Sequence, residues 1–109
     1  KIDFKKKELL EKIFNLKKKN YIIAGIGAGA KANTFLTYYD LNYKMVNFLT
    51  DTSKYKQNKI TPITRIIIKD DKEIIKYKKI TCIILSWNIS KMIIQKLRKL
   101  NKKAKFIYT

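Results

Sequence analysis

Short apolar runs alternate along this chain with longer amphipathic segments, which is the pattern of strands interleaved with helices. Residues 3–19 carry leucine, isoleucine and phenylalanine at spacings of three and four, and Lys17–Lys19 fall where a helix dipole favours cations. We therefore expect an amphipathic helix that packs on the rest of the domain, with a helix lying on a membrane surface as the alternative.

Further apolar runs predict strands, and they span residues 21–26, 44–51, 65–68, 80–86 and 104–109. The run 80–86 is β-branched and apolar on both faces, as parallel strands buried under helices tend to be. Thr52–Thr64 is polar and holds the only proline, so it predicts one long loop.

The segments that predict helices after the first are Ala28 to about Leu41, a short helix that begins at Asp70, and residues 88–103. Glu73 follows Asp70 at the distance of a capping box. Asn88 or Ser90 is the expected cap of the last helix.

This alternation predicts an α/β fold, a small Rossmann-like three-layer α/β/α domain with a mainly parallel sheet of about four or five strands. We place this domain at residues 20–109 and interpret residues 1–19 as a linker or packing helix from a preceding domain. In such sheets, ligands bind beyond the carboxyl ends of the strands. The candidate stretches that follow predicted strands, and should meet at that edge, are Gly25–Asn33, Asp51–Asn58 and Trp87–Asn88.

Basic residues dominate the chain, since Lys and Arg number 26 against 8 Asp and Glu, for a formal charge of +18. Such a charge suggests nucleic acid or an anionic membrane as a partner. However, all but two of these residues are lysines spread over every segment, and Ile and Asn are abundant too, as in proteins from genomes rich in A/T codons. Since arginine is the usual reader of phosphate and guanine, we expect a solvated lysine surface, no nucleic-acid partner, and attraction of small anionic ligands.

Cys82 is the single cysteine and the chain has no histidine, which excludes a Cys–His nucleophile, a Cys/His zinc site and an internal disulfide. We expect a buried strand residue at Cys82, no metal ligands and a cytoplasmic location. No apolar run reaches the ~20 residues of a membrane span, and the first residues lack a signal-peptide pattern, so no membrane partner is expected. Position 1 is not Met, and we interpret the chain as a fragment of a longer protein.

All the glycines lie in one stretch, and the letters GIGAGA from residue 25 fit the G-x-G-x-x-A dinucleotide fingerprint. In that motif the first glycine makes the tight turn, the second lets the backbone approach a pyrophosphate, and the helix N-terminus attracts the phosphates. Asp51 ends the second strand about 20 residues later, where an acid accepts from a ribose hydroxyl. Lys31 lies in the first helical turn, where a cation is unfavourable unless an anion lies nearby, so a functional Lys31 indicates a phosphate or carboxylate ligand.

The same glycines fit the G-x-G-x-G loop of S-adenosylmethionine-binding methyltransferase domains. Ile23 stands where such loops usually carry an acid, and the chain is too short for their larger sheet. A lysine beside the loop also has little purpose for a cofactor without phosphate. These observations favour a phosphate-bearing ligand over S-adenosylmethionine.

Three separated motifs extend the glycine stretch into a longer pattern: GIGAGAKANTFLTYY, DTSKYKQNKITP and LSWN. In this order they resemble the C-terminal domain of the sugar C-methyltransferases, whose pattern runs roughly G-x-G-A-x-A-K-G-N-T-L-L-N-Y, then V-D-x-x-P-x-K-Q-G-x-x-x-P-G-T, then P-W-N. The resemblance extends over about residues 19–109. The matching positions are Gly25, Gly27, Ala28, Ala30, Lys31, Asn33, Thr34, Leu36, Tyr38, Asp51, Lys56, Gln57, Pro62, Thr64, Trp87 and Asn88.

Some positions depart from that pattern: Ala32, Asn58 and Ile63 stand in place of glycines, and Lys54 and Ser86 in place of prolines. Asn tolerates a left-handed backbone, so Asn58 is able to preserve the turn. A β-branched residue adopts that backbone only with strain, so the loop is expected to differ in shape at Ile63.

The resemblance implies an enzyme of three parts: an N-terminal zinc-binding part, a central part that binds S-adenosylmethionine and carries the catalytic residues, and the present Rossmann-like part. The substrate would be a nucleotide-linked keto-sugar held between the last two parts. Methylation next to a ketone needs a base, and the chain has no histidine and no recognisable carboxylate pair. We therefore expect a substrate-binding domain with no catalytic residue and no cofactor of its own, whose partner is the preceding S-adenosylmethionine-binding domain.

In this interpretation, Lys31 and the backbone after Gly27 face an anionic or hydroxyl-rich ligand, and Trp87 stacks on it. The residues predicted to bind substrate are Gly25, Gly27, Ala28, Gly29, Lys31, Asn33, Asp51, Lys56, Gln57, Trp87 and Asn88. The alternatives are a stand-alone nucleotide- or dinucleotide-binding Rossmann domain without catalysis, and a basic nucleic-acid-binding module. The last lacks a stacking platform and an arginine cluster in the sequence.

Overall fold

The computed structural model describes residues 4–27, 30–51, 53–85 and 91–108, which form a parallel sheet between helices. In chain order, the elements are α1 (Phe4–Lys18), β1 (Ile22–Ile26), α2 (Ala30–Tyr38), β2 (Phe48–Thr50), β3 (Ile68–Lys69), a 3-10 helix (Asp71–Lys76), β4 (Ile80–Ile84), α3 (Lys91–Leu100) and β5 (Lys105–Tyr108). The sheet has 5 strands in the order β3-β2-β1-β4-β5, and each neighbouring pair is parallel. The predicted α/β class with a parallel sheet is thereby confirmed.

The hydrophobic core lies on both faces of this sheet, because successive residues of a strand point to opposite faces. On one face, Ile13 of α1 and Leu36 of α2 pack in the same cluster as β1, β2 and β4. On the other face, Ile74 of the 3-10 helix and Leu97 of α3 pack against the alternate residues of those strands. The helix predicted over residues 3–19 thus contributes its apolar face to the core.

Helix α2 ends at Tyr38, before the predicted Leu41, because the chain turns through a left-handed residue. Asp40 has φ of 54°, and the N–H of Leu41 donates to the carbonyl of Leu36 over 2.8 Å. This six-to-one bond, together with the left-handed residue, is the Schellman arrangement that closes helices. Asn20, with φ of 67°, occupies the same place after α1.

Strand β2 is shorter than the predicted 44–51, because a turn occupies the first half of that segment. The carbonyl of Asn42 accepts from the N–H of Val46 over 2.9 Å, which draws these residues out of the sheet. Asn47 then joins β1 through its side chain and its backbone, since its Oδ1 accepts from the N–H of Ile23 over 2.9 Å and its N–H donates to the carbonyl of Ile23 over 2.8 Å. The strand itself begins at Phe48.

Asp70 caps a helix as predicted, but the helix is of the 3-10 type. Asp70 Oδ1 accepts from the N–H of Lys72 over 2.9 Å, which satisfies one of the free donors at the helix start. Glu73 does not turn back to complete a capping box. Its carboxylate instead accepts from the Tyr77 hydroxyl over 3.3 Å and pairs with Lys76 over 3.0 Å.

The remaining elements lie within or next to their predicted segments. Helix α3 and strand β5 occupy parts of 88–103 and 104–109, and β3 begins at the end of 65–68. The expected caps of α3, Asn88 and Ser90, lie outside the described residues. Within the described ranges, no helix combines the length and the apolar character needed to cross a membrane.

Cys82 lies in the middle of β4 and is fully buried, as predicted for it. Burial raises the pKa of its thiol to about 12, and the negative charge of Asp71 adds to the effect. Both causes disfavour the thiolate, which is the reactive form. The folded chain therefore keeps this thiol protonated over the whole neutral range.

We expect Cys82 to react with a thiol reagent at pH 8 about a thousandfold more slowly in the folded chain than in urea, because the raised pKa lowers the thiolate fraction by that factor. Equal rates of labelling in the folded and unfolded chains would contradict this account.

The raised pKa of Cys82 also makes the free energy of unfolding depend on pH. This contribution is constant below the unfolded pKa near 9 and is lost as pH rises toward 12. Urea denaturation between pH 8 and 11 should therefore show a smaller decline in the free energy of unfolding for a Cys82→Ala variant than for the wild type.

Candidate functional site

Parallel register brings the carboxyl ends of β1, β2 and β3 to one edge of the sheet. Thr50 lies opposite the last residue of β1 on one side and opposite Lys69 on the other. The residues that follow these strands, Gly27, Asp51 and Asp70, therefore lie side by side. The N–H of Gly27 donates to the carbonyl of Thr50 over 2.9 Å, and that of Asp51 to the carbonyl of Lys69 over 3.0 Å.

Gly25 lies inside β1 and not in the turn that the fingerprint predicts for it. A Cβ on Gly25 would lie 2.5 Å from Leu49 Cδ2 and 2.8 Å from Leu85 Cδ1. Leu49 is 0% exposed and Leu85 is 4% exposed, so neither side chain has open space into which to move. The missing side chain of Gly25 thus makes room for residues of the two neighbouring strand segments, and a ligand contact at Gly25 stays a prediction.

Gly27 is the glycine that the backbone requires at this edge. Its φ of 96° belongs to the left-handed region that residues with a side chain rarely adopt. Helix α2 begins at Ala30, so Lys31 lies in the first helical turn as expected. The side chain of Lys31 is not described, and Ala28 and Gly29 lie outside the described residues.

Three predicted site residues, Asp51, Lys56 and Gln57, come together after β2. Asp51 Oδ1 accepts from the N–H of Ser53 over 2.8 Å, and Asp51 Oδ2 lies 3.8 Å from Lys56 Nζ. Gln57 Nε2 donates to the carbonyl of Asp51 over 2.9 Å. The Lys56 side chain is 45% exposed, so this ion pair contributes less than about 1 kcal/mol to stability. The arrangement shapes the loop more than it stabilises the fold.

Asp70 also belongs to this cluster, although its sequence pattern predicts only a helix cap. Gln57 Nε2 donates to Asp70 Oδ2 over 3.2 Å, across 13 residues of sequence. The signal that indicates Asp70 is the same one that singled out Asp51, an acid directly after a strand. Trp87 and Asn88, which were expected to complete the site, lie outside the described residues.

Among the residues that the structure describes, two buried polar atoms near this edge have no hydrogen-bond partner. They are Asn33 Oδ1 in α2 and Thr50 Oγ1 at the end of β2, and Thr50 is 1% exposed. A third such atom, Thr81 Oγ1, belongs to β4 near its amino end. An unsatisfied buried polar group costs about 1–3 kcal/mol, so a ligand that donates to Asn33 would recover part of that cost. Asn33 thus remains a candidate for binding.

The strand order, with a glycine turn after β1 and an acid after β2, is that of nucleotide-binding Rossmann sheets, in which the crevice opens between β1 and β4. The family model described as the C-methyltransferase C-terminal domain matches residues 1–109. The chain belongs to this family. Comparison of the C-methyltransferase domain with curated proteins gives no match.

The C-methyltransferase domain keeps a left-handed backbone at two positions where the family pattern given above has glycine. Asn58 has φ of 66° and Ile63 has φ of 67°. Asn58 preserves the turn as expected, and its N–H donates to the carbonyl of Ile68 over 2.7 Å. Ile63 also adopts the left-handed region despite its β-branched side chain, so the strain expected at this position is present.

Buried threonines hold the strained backbone at Ile63. The N–H of Thr64 donates to the carbonyl of Pro62 over 2.7 Å, which makes a three-residue γ-turn with Ile63 at its centre. The hydroxyls of Thr61 and Thr64 lie 2.6 Å apart, and Thr61 Oγ1 also accepts from the N–H of Ile66 over 2.8 Å. Both threonines are 4% exposed, so their hydrogen bonds are shielded from water. The surrounding structure thus fixes a backbone that isoleucine alone would avoid.

We expect Gly25→Ala to destabilise the C-methyltransferase domain by about 1–3 kcal/mol, because the added methyl overpacks Leu49 and Leu85. In a Leu85→Ala background the same change should cost clearly less, since the truncated side chain leaves space for the methyl. Urea denaturation of the four chains of this double-mutant cycle measures the difference. An equal cost in both backgrounds would show that the glycine is required for another reason.

We expect Ile63→Gly to stabilise the domain by about 1 kcal/mol, because relief of backbone strain exceeds the entropic cost of glycine. Ile63 is 84% exposed, so little packing is lost with its side chain. Thermal unfolding should shift upward by roughly 4–8 °C. Asn58→Gly is the matched control, and we expect it to change stability little because asparagine tolerates the left-handed region. A lower melting temperature for Ile63→Gly would refute the strain.

Proposed function

We propose that this C-methyltransferase C-terminal domain binds the nucleotide-linked keto-sugar of an S-adenosylmethionine-dependent enzyme and presents it to a preceding domain that carries the chemistry. The observation that supports the proposal is the cluster of Asp51, Lys56 and Gln57 at the same sheet edge as the Gly27 turn. Family membership supplies the class of reaction. Together they favour substrate binding as the role of this domain.

The reaction explains why a separate binding domain is useful. In a C-methylation next to a ketone, a base removes a proton from the carbon beside the carbonyl, and the resulting enolate carbon takes up the methyl group. S-adenosylmethionine supplies that methyl group. The rate of methyl transfer depends on holding the enolate carbon of the sugar in line with the methyl group. Binding energy from the remote nucleotide part of the substrate provides that orientation. A domain without histidine contributes the orientation and leaves proton removal to its partner.

The residues of this chain suit the nucleotide part of the substrate better than the methyl donor. The position before the glycines where methyltransferase loops carry an acid is Ile23, which is 0% exposed and packed in the core. The N-terminus of α2 and Lys31 offer positive charge to a diphosphate. The formal charge of +18 draws an anionic substrate toward the domain.

A second candidate function is dinucleotide binding without catalysis. The strand order and the position of Asp51 directly after β2 favour it, because an acid there accepts from ribose hydroxyls in such domains. Family membership weighs against it, since it associates the domain with a methyl transfer and not with a stand-alone dinucleotide site.

We expect calorimetric titration of the 109-residue chain with UDP-glucose or dTDP-glucose to give saturable binding. Lys31→Ala should weaken it about tenfold or more, because a hydrogen bond to a charged group is lost. Lys44→Ala is the matched control. It removes the same charge from an exposed position before β2, at the opposite edge of the sheet, and should leave the affinity unchanged.

Parallel titrations with NAD and with S-adenosylmethionine separate the candidates. Tight binding of NAD, with none of the nucleotide-sugars, would favour the dinucleotide function and overturn the proposal. Steeply salt-dependent binding to random DNA in place of either would instead indicate a nucleic-acid-binding module.

A further inference from the structure

The side-chain amide of Gln57 is held in one orientation by two oxygen atoms. Its Nε2 lies 2.9 Å from the backbone carbonyl oxygen of Asp51 and 3.2 Å from Asp70 Oδ2. A carbonyl and a carboxylate only accept hydrogen bonds, so the NH2 end of the amide must face both of them. The usual ambiguity between the oxygen and nitrogen of a glutamine is thereby removed at this position.

Asp70 is in turn fixed by the elements on either side of it. Its Oδ1 accepts from the N–H of Lys72 over 2.9 Å, and its backbone carbonyl accepts from the N–H of Glu73 over 3.0 Å. The two carboxylate oxygens therefore have different tasks, since one caps the 3-10 helix and the other holds Gln57. The parallel pairing of Thr50 with Lys69 places Asp70 beside Asp51. The bridge that Gln57 Nε2 forms between the Asp51 carbonyl and Asp70 Oδ2 therefore depends on the register of β2 and β3.

This bridge determines what Gln57 can offer to a ligand. Both Nε2 protons are used within the domain, and Oε1 receives no hydrogen bond from any residue in the described ranges. Asn33 Oδ1, after β1, is likewise an acceptor without a donor in that part of the chain. Gln57 therefore presents an acceptor at this edge, which calls for a hydroxyl or N–H donor on the ligand.

We propose that Gln57 Oε1 accepts a hydrogen bond from a donor group of the ligand. Asp70 is the positioning residue that orients the Gln57 amide so that its oxygen, and not its NH2 group, faces the ligand. The donor is a sugar hydroxyl or the ring N–H of a uracil or thymine base, which are chemically equivalent for a carbonyl acceptor. The inference rests on the proposed function, and it names which chemical group of the nucleotide-sugar the loop recognises. In this arrangement Lys56 and Lys31 bind the phosphates of the nucleotide-sugar.

Asp70→Asn is the decisive variant. An asparagine that keeps its oxygen on the N–H of Lys72 turns its NH2 group toward Gln57, and two donors then face each other. Gln57 is then no longer held in one orientation, because the carbonyl of Asp51 still calls for its NH2 end while the new NH2 group calls for its oxygen. We expect the affinity for UDP-glucose to fall about three- to tenfold, as in Gln57→Met, which has no comparable acceptor. Gln95→Met, an exposed change on α3, is the matched control and should have no effect.

The choice of ligands identifies the donor. If Gln57 contacts the base, the wild type should bind UDP-glucose more tightly than CDP-glucose, because cytosine has an acceptor where uracil has N–H. This preference should be smaller in Asp70→Asn, in which the amide is no longer held in one orientation. If a sugar hydroxyl is read, Asp70→Asn should weaken UDP-glucose but leave UDP unchanged. Thermal unfolding of each variant checks that it is folded under the conditions of the titration.

A measurement without ligand tests the positioning separately. In nuclear magnetic resonance spectra of the free chain, the side-chain amide protons of Gln57 should exchange with water more slowly than those of Gln95, and Asp70→Asn should abolish the difference. If the wild type binds UDP-glucose and both Gln57→Met and Asp70→Asn bind it equally well, the inference is wrong while the proposed function stands. If the wild type binds no nucleotide-sugar, the proposed function fails and the inference fails with it.

Discussion

The packing of Leu49 and Leu85 over the bare backbone of Gly25 is the contact on which the rest of this domain depends. It locks the central strand between its two neighbours, and any shift of β1 by one residue would place an alanine or isoleucine side chain where there is no room for it. A shift would also exchange the two faces of the strand, so the core and the register are fixed together. Because the register is fixed, the residues that follow β1, β2 and β3 meet at one edge.

The sequence was sufficient for the elements whose apolar pattern is strong, and insufficient where an element ends through a contact made elsewhere. Strand β4 was predicted because both of its faces are apolar, as buried parallel strands require. The start of β2 was wrong because the chain turns between Asn42 and Val46 before it joins the sheet, which the apolar pattern does not reveal. The end of α2 was placed too late because Asp40 adopts a left-handed backbone, for which glycine or asparagine is the more usual signal.

In the candidate site too, local sequence predicted the contacts within one loop but not those that depend on strand pairing. Asp51, Lys56 and Gln57 were predicted together, since they share one loop after one strand, and the structure brings them into contact. Asp70 was missed because its approach to Gln57 depends on the pairing of β2 with β3, a strand of only 2 residues. The glycine fingerprint predicted the tight turn at Gly25, whereas that residue lies within β1 and the positive φ falls on Gly27. Sequence alone does not separate these two positions, because close packing and a tight turn can each require the absence of a side chain.

The bend at Ile63 separates the shape of this loop from the residue type that forms it most easily. Glycine adopts a left-handed backbone without strain, whereas here the buried hydrogen bonds of Thr61 and Thr64 hold an isoleucine in that region. The loop therefore depends on two hydroxyl groups for a shape that glycine would adopt without their help.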